Sequence, residues 1–186
     1  MALTTVARVK TEIGLKADDS QNNAKIAELI ERVSSVISGE CGRTFEYQQF
    51  TEYFNGDGAS GTVNLTHYPF DSSAAFSLYD DTERAYGAST LIATADYIID
   101  DDTGILTLDG NLTFSRGKRN IKVTYYGGYK VIPQDLEMAA IMRVYASFLQ
   151  SQGTLNVHVD QEQANRISAM KKEATATINR YKNMSF

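Results

Sequence analysis

The apolar positions of the chain change their period twice. In the first segment Leu3, Val6, Val9 and Ile13 recur at spacings of three and four, Thr4 or Thr5 offers a capping hydroxyl and Gly14 a stop. That pattern predicts a short amphipathic helix. After Asp18, Asp19 and Ser20, whose oxygens can cap a helix start, Ile26, Ile30, Val33 and Ile37 line one face of a second helix. Lys25, Glu28, Glu31 and Arg32 occupy the rest, and Gly39 is expected to close it.

From Phe45 onward Tyr, Phe, Thr, Val and Ile alternate with polar residues, the texture of a half-buried sheet. Strands are expected at Tyr47–Phe54, Thr62–Leu65, Ala75–Tyr79, Tyr97–Ile99, Ile105–Leu108 and Ile121–Tyr126. Asn55-Gly56-Asp57-Gly58 and Asp102-Thr103-Gly104 are the clearest turns. Such short strands imply a small antiparallel sheet or sandwich. Pro133 then restarts helix, with Asp135 and Glu137 in the first turn where the helix dipole favours negative charge. Leu136, Ala140, Val144 and Phe148 form its stripe, but Met138, Ala139, Ile141, Met142, Tyr145 and Leu149 make it apolar on most sides. A helix of that kind must be covered nearly all round, either by the chain's own other helices and sheet or, as the surplus suggests, by a neighbouring subunit. Gly153 to Val159 alternates without helical period and predicts an extended connector. Asp160 to Phe186 carries a thin stripe of Ile167, Met170, Ala174, Ile178 and Tyr181, too narrow for a lone helix and therefore expected to dock on something else.

The fold class expected is therefore α+β: a helical core of N-terminal and C-terminal helices (1–44 and 130–152) with an inserted small antiparallel β domain (45–129), followed by a connector and docking helix (153–186). With 186 residues, 42% of them hydrophobic, the chain is long enough for one ordinary core. Charge changes the functional picture more than size does. A net charge of −5 disfavours a protein that grips a phosphate backbone. Residues Asp71 to Asp109 hold nine acids against one basic residue, Arg84, and should present an acidic, well-solvated face. From Gln161 onward five basic residues stand against two acids, so the last helix has the opposite sign. The single Cys41 cannot form an internal disulfide, which fits a reducing compartment. No apolar run reaches the length of a membrane span and no leader pattern opens the chain, so no membrane is expected as partner.

Candidate chemistry is thin. His67 and His158 are the only histidines and neither has the local company of a triad or a metal pair. Asp100-Asp101-Asp102 with Gly104 lacks the later carboxylate of a calcium loop and reads as a hairpin turn. Gly56-Asp57-Gly58 and Gly127-Gly128 lack the Lys-Ser/Thr ending and strand-to-helix setting of a phosphate loop, and read as turn glycines. Tyr125, Tyr126 and Tyr129 near Lys122 and Lys130 read as sheet cover rather than a base-stacking platform. Neither catalytic, metal nor cofactor-binding residues are expected, and no enzyme.

Two blocks carry a resemblance. Asn22 to Glu46, NNAKIAELIERVSSVISGECGRTFE, is similar to the second helix of tailed-phage head-tail connector (adaptor, or head completion) proteins, with Cys41-Gly42-Arg43-Thr44-Phe45 as its corner. Val123 to Ala140, VTYYGGYKVIPQDLEMAA, resembles that family's passage from last strand through a Gly-Tyr turn and Pro into an alanine-bearing helix. Thr51 to Phe70 resembles the longer members that insert a β domain, so that most of Thr4 to Leu149 is covered.

The resemblance implies a structural virion protein of the neck, made in the host cytoplasm. Its partners would be further copies of itself in a ring, commonly dodecameric, the portal protein above, and a stopper, head-closure or tail protein below. Viral DNA would pass through the channel without sequence-specific binding. On this view Arg166, Ile167, Met170, Lys171, Lys172, Ala174, Ile178, Arg180 and Tyr181 meet the portal, and Leu136, Ile141, Val144, Tyr145 and Phe148 pack subunits. A different neck or tail-terminator ring protein and, further off, a small nucleic-acid-binding module are the alternatives.

Overall fold

The computed structural model describes residues 2–18, 20–153 and 161–182. The chain forms two compact units, one from Met1–Arg43 with Val131–Phe186 and one from Thr44–Lys130.

The first unit is helical. Helix α1, Val6–Ile13, starts where the Thr5 hydroxyl accepts the Arg8 N–H at 3.2 Å. It ends at Gly14, whose φ of 74° lets its own N–H reach Thr11 O and the next N–H, of Leu15, reach Lys10 O. Helix α2, Asn23–Cys41, runs past Gly39 and is closed instead by Gly42 (φ 64°). Gly42 N–H bonds Gly39 O and Arg43 N–H bonds Ser38 O, both at 3.2 Å. The reason the helix continues is burial: Cys41 lies one turn beyond Ile37 on the same face and is 2% exposed, with its Sγ directed at Ile178 O. Burial also pushes the Cys41 thiol pKa up.

Helix α3, Gln134–Gly153, follows Pro133 and carries Asp135 and Glu137 in its first turn. Helix α4 spans Gln161–Asn179. The connector expected over Gly153–Val159 lies, beyond Gly153, outside the described residues, as does His158. Helices α1, α2 and α4 all pack on α3. Their apolar stripes, Val9 from α1, Ile26, Leu29, Ile30, Val33 and Ile37 from α2, and Ile167, Ala174 and Ile178 from α4, are all buried. Each fully buried Ile or Leu stabilises this packing by about 1.5–3 kcal/mol. Polar ties add register: Leu3 N–H donates to Ser34 Oγ, and Thr4 Oγ1 to Glu137 Oε1, each at 3.0 Å.

The second unit is β. Its strands among the described residues are β1 (Gln48–Gly56), β2 (Thr62–Asn64), β3 (Ser77–Asp80), β4 (Tyr97–Ile99), β5 (Ile105–Leu108) and β6 (Gly117–Gly127). They make two antiparallel sheets, β1-β6-β3 and β2-β5-β4. Strand alternation explains the shared core: Ile121, Val123 and Tyr125 of β6, Leu78 of β3, and Leu106 and Leu108 of β5 all point inward, joined by Phe70 and Phe114. The hairpin between β4 and β5 is shaped by Asp100, whose carboxylate accepts the N–H groups of Asp102 and Thr103 at 3.0 and 3.1 Å.

Gly127 and Gly128 do more than turn the chain. Gly127 ends β6 beneath the His67 carbonyl, and a Cβ there would meet that oxygen at 2.1 Å. Gly128 has φ +93°, and a Cβ would meet Glu46 O at 2.4 Å. Gly128→Ala is therefore expected to destabilise the β unit by about 2–4 kcal/mol, from backbone strain and overpacking together. A drop in urea midpoint followed by circular dichroism checks this; an unchanged midpoint refutes the close approach.

Candidate interaction surfaces

The sequence-predicted docking residues fall on two sides of α4. Ile167, Ala174 and Ile178 are buried within this chain at 6%, 0% and 0% exposure, and Met170 is half-buried. The thin stripe docks on the chain's own α3, so these side chains do not form an exposed face. In α3 as well, Leu136, Ile141, Val144 and Phe148 are buried inside the helical unit, and Tyr145 is half-buried. Its apolar excess is covered by α1, α2 and α4. Sequence periodicity identifies a face that must be buried, but it is silent on whether the cover comes from the same chain.

The charged members remain outside. Arg166, Lys171, Lys172 and Arg180 are exposed. Arg180 pairs with Asp135 at 3.1 Å, and the Tyr181 hydroxyl donates to the other oxygen of the same carboxylate. Arg166 lies over the Tyr145 ring at 5.9 Å. Lys171 donates to Gln150 Oε1 at 3.2 Å and borders a groove of about 290 Å³ between α2, α3 and α4. Arg32, Val33, Val36, Arg143, Ser147 and Thr175 complete that groove. Arg143 is held by Glu40 at 2.9 Å and reaches Thr175 Oγ1 at 3.3 Å, whereas the Arg32 side chain makes no hydrogen bond or ion pair among the described residues. Val36 is 47% exposed at its edge. Arg32 and Val36 were legible from the sequence only as ordinary helix positions, since a groove made by three helices has no local signature.

The acids of the β unit are less solvated than their number suggests. Asp81 is 7% exposed; burial alone would raise its pKa, but amide donors from Tyr86, Glu83, Arg84 and Ala85 outweigh it and lower it. Asp80 accepts Ser115 N–H at 2.7 Å and Asn120 Nδ2 at 2.9 Å. Asp71 takes Lys130 Nζ at 2.8 Å, with Ser73 and Tyr47 hydroxyls as further donors, and these hold its carboxyl well below the usual carboxylate range. These acids organise loops by accepting backbone and side-chain protons. Asp101 and Asp102, at the β4–β5 hairpin, remain exposed, and their carboxylates make no hydrogen bond or ion pair among the described residues.

His67 is packed, not poised. Its ring stacks on Phe50 with centroids 3.7 Å apart, Nδ1 accepts Thr44 N–H at 3.3 Å, and Nε2 lies 3.8 Å from Glu52. No group of His, Cys, Asp or Glu among the described residues could hold a metal ion. No helix among them is long and apolar enough to cross a membrane. What the surface offers is charge, one cationic groove and an exposed hairpin, which suit binding to other macromolecules.

The head completion protein family matches residues 2–152, covering every element up to the end of α3. The chain belongs to this family. Head completion is a structural task, so membership sets the chain among structural virion proteins. No curated protein sequence matches. A chain from the neck of an empty GTA particle, computed with C6 symmetry, has 15% identity and a TM-score of 0.62, with 99% of this chain and 91% of that one covered. A chain from the neck of a native GTA particle, computed with C12 symmetry, has 15% identity and a TM-score of 0.57, covering 100% and 94%. At this identity the likeness is one of fold, and it includes α4, which the family match does not reach.

Two outcomes are expected. Ile178→Ala should destabilise the helical unit by about 2–4 kcal/mol, while Lys172→Glu should change it by less than about 0.5 kcal/mol. Thermal denaturation of both variants checks this, and equal effects would show that the α4 stripe is not core. Because the folded-state pKa of Asp71 is depressed, its stabilisation is full above about pH 4 and is lost as the pH falls through its folded value. Asp71→Asn should therefore flatten the acid limb of the β unit's stability profile; an acid limb as steep as that of the parent chain counts against the Lys130 and Tyr47 contacts.

Proposed function

We propose that the chain is a ring subunit of the neck of a tailed particle, a head-tail connector that sits beneath the portal, extends the DNA channel and offers its far side to the next neck or tail component. The observation that carries this reading is the family match over residues 2–152. The fold shared with chains from particle necks of C6 and C12 symmetry supports a homo-oligomeric ring, with twelve copies as the number to test.

Portal binding falls to the outward-facing charges of α4. Arg166, Lys172 and Arg180 are exposed and do not line the groove, and the buried Ile167, Ala174 and Ile178 hold the helix that displays them. Electrostatic contacts of this kind steer encounter and set register more than they add affinity. Deleting α4 is a poor test, because it would strip α3 of its cover.

Electron microscopy of the full chain mixed with its portal decides the matter. An added ring below the portal is expected, and Arg166→Glu with Lys172→Glu should abolish it while leaving the circular dichroism spectrum unchanged. A chain that ignores portal and binds only a tail tube overturns the connector reading in favour of a tail-terminating one. A steep salt-dependent affinity for duplex DNA overturns it in favour of a nucleic-acid-binding module.

A further inference from the structure

Among the described residues, two surfaces are unpartnered and chemically complementary. The first is the groove between α2, α3 and α4, with the exposed Val36 at its apolar edge and Arg32 and Lys171 on its rim. The second is the outer face of the β4–β5 hairpin. Strand alternation turns Tyr97 and Ile99 inward and leaves Ile98 outward at 68% exposure. Ile98 is the register partner of Thr107, and Ile105, two residues earlier on β5 and 37% exposed, shares that face. An exposed pair of isoleucines on a small sheet is a costly feature for a free surface. Beside it stand the carboxylates of Asp101 and Asp102, exposed and unpaired among the described residues.

We infer that the β4–β5 hairpin of one copy seats in the α2/α3/α4 groove of a second copy, Ile98 entering against Val36 while Asp101 and Asp102 meet Lys171 and Arg32. The inference rests on the ring reading above. A closed ring is built from heterologous contacts, in which each chain carries two different surfaces that fit each other. Groove and hairpin are such a pair. One is cationic with an apolar edge, the other acidic with an apolar face. The groove volume of about 290 Å³ accommodates one branched aliphatic side chain. Arg143 contributes less than its position suggests, because Glu40 already neutralises it at 2.9 Å. The discriminating charges are therefore Arg32 and Lys171. Of the other acids near the hairpin, Asp100 is occupied by the turn amides and Asp109 by Gly110 N–H at 2.9 Å, while Asp96 is exposed like Asp101 and Asp102.

Disulfide trapping tests the contact in the full-length chain. One preparation carries Val36→Cys, a second carries Thr107→Cys, and the two are mixed at high concentration under mild oxidation. The native Cys41 stays in place, since it is buried and its thiol pKa is raised. Mixing separate preparations excludes bridges within one copy. The expected result is a cross-linked pair between unlike variants, well above that given by a Ser89→Cys control in an exposed loop. Lys171→Glu in the first preparation should reduce the adduct about tenfold, the loss of one desolvated charge pair. Asp101→Lys with Asp102→Lys in the second should restore it, which also shows that the reversed chains are folded. An adduct no more abundant than the Ser89 control, or one indifferent to charge reversal, overturns the inference. Rings formed on portal without the adduct overturn the contact and leave the neck reading standing. The adduct without rings on portal supports the contact and counts against the neck reading.

Discussion

Helix α3 is apolar on too many sides to stand in water, and covering it organises the helical unit. Leu136, Ala139, Ala140, Ile141, Val144, Ala146 and Phe148 are all buried, so their burial involves more than one face. Three helices supply the cover, and two of them are remote from α3 in sequence. The polar ties then follow the packing: Thr4 and Arg8 reach Glu137, Arg143 reaches Glu40, and Arg180 and Tyr181 reach Asp135. Exposed pairs of this kind contribute roughly 0–1 kcal/mol each, so they set register while the apolar burial supplies the stability.

The β unit solves a different problem with different means. Its strands are short, and each sheet alone would be marginal, so the two share one core. Loops between such strands expose many amide groups. The chain's acids satisfy them: Asp57, Asp71, Asp80, Asp81 and Asp100 each accept at least one backbone N–H. A run of carboxylates that looks like a repulsive surface is thus largely an internal scaffold for turns. Asp101 and Asp102 have no such duty among the described residues and stay exposed.

For a structural virion protein this division has a consequence. The side chains that identify the helices are used up inside the subunit, and what is left for assembly is charge and a few misplaced apolar groups. Ile98, Val36 and Val131 are exposed apolar groups. The exposed basic residues of α4 and the acidic hairpin give one chain surfaces of opposite sign.

How much was legible beforehand follows from the range of each interaction. Helix periods, a Thr4 or Thr5 cap, the Gly14 stop, the approximate strand positions and the Asp100 hairpin are local, and alternation or spacing indicates them before any tertiary contact forms. The α+β class and the family likeness at Asn22–Glu46 and Val123–Ala140 were readable for the same reason. Local signals failed at the second helix stop, where two glycines compete and only the burial of Cys41 against Ile178 selects Gly42. They failed again for the site. That Ile167, Ala174 and Ile178 must be buried is written in their spacing, but that the chain's own α3 buries them is a contact between distant segments, which spacing alone does not encode. The groove of Arg32, Val36 and Lys171 exists only once three helices meet, so the tertiary structure alone decided that it forms.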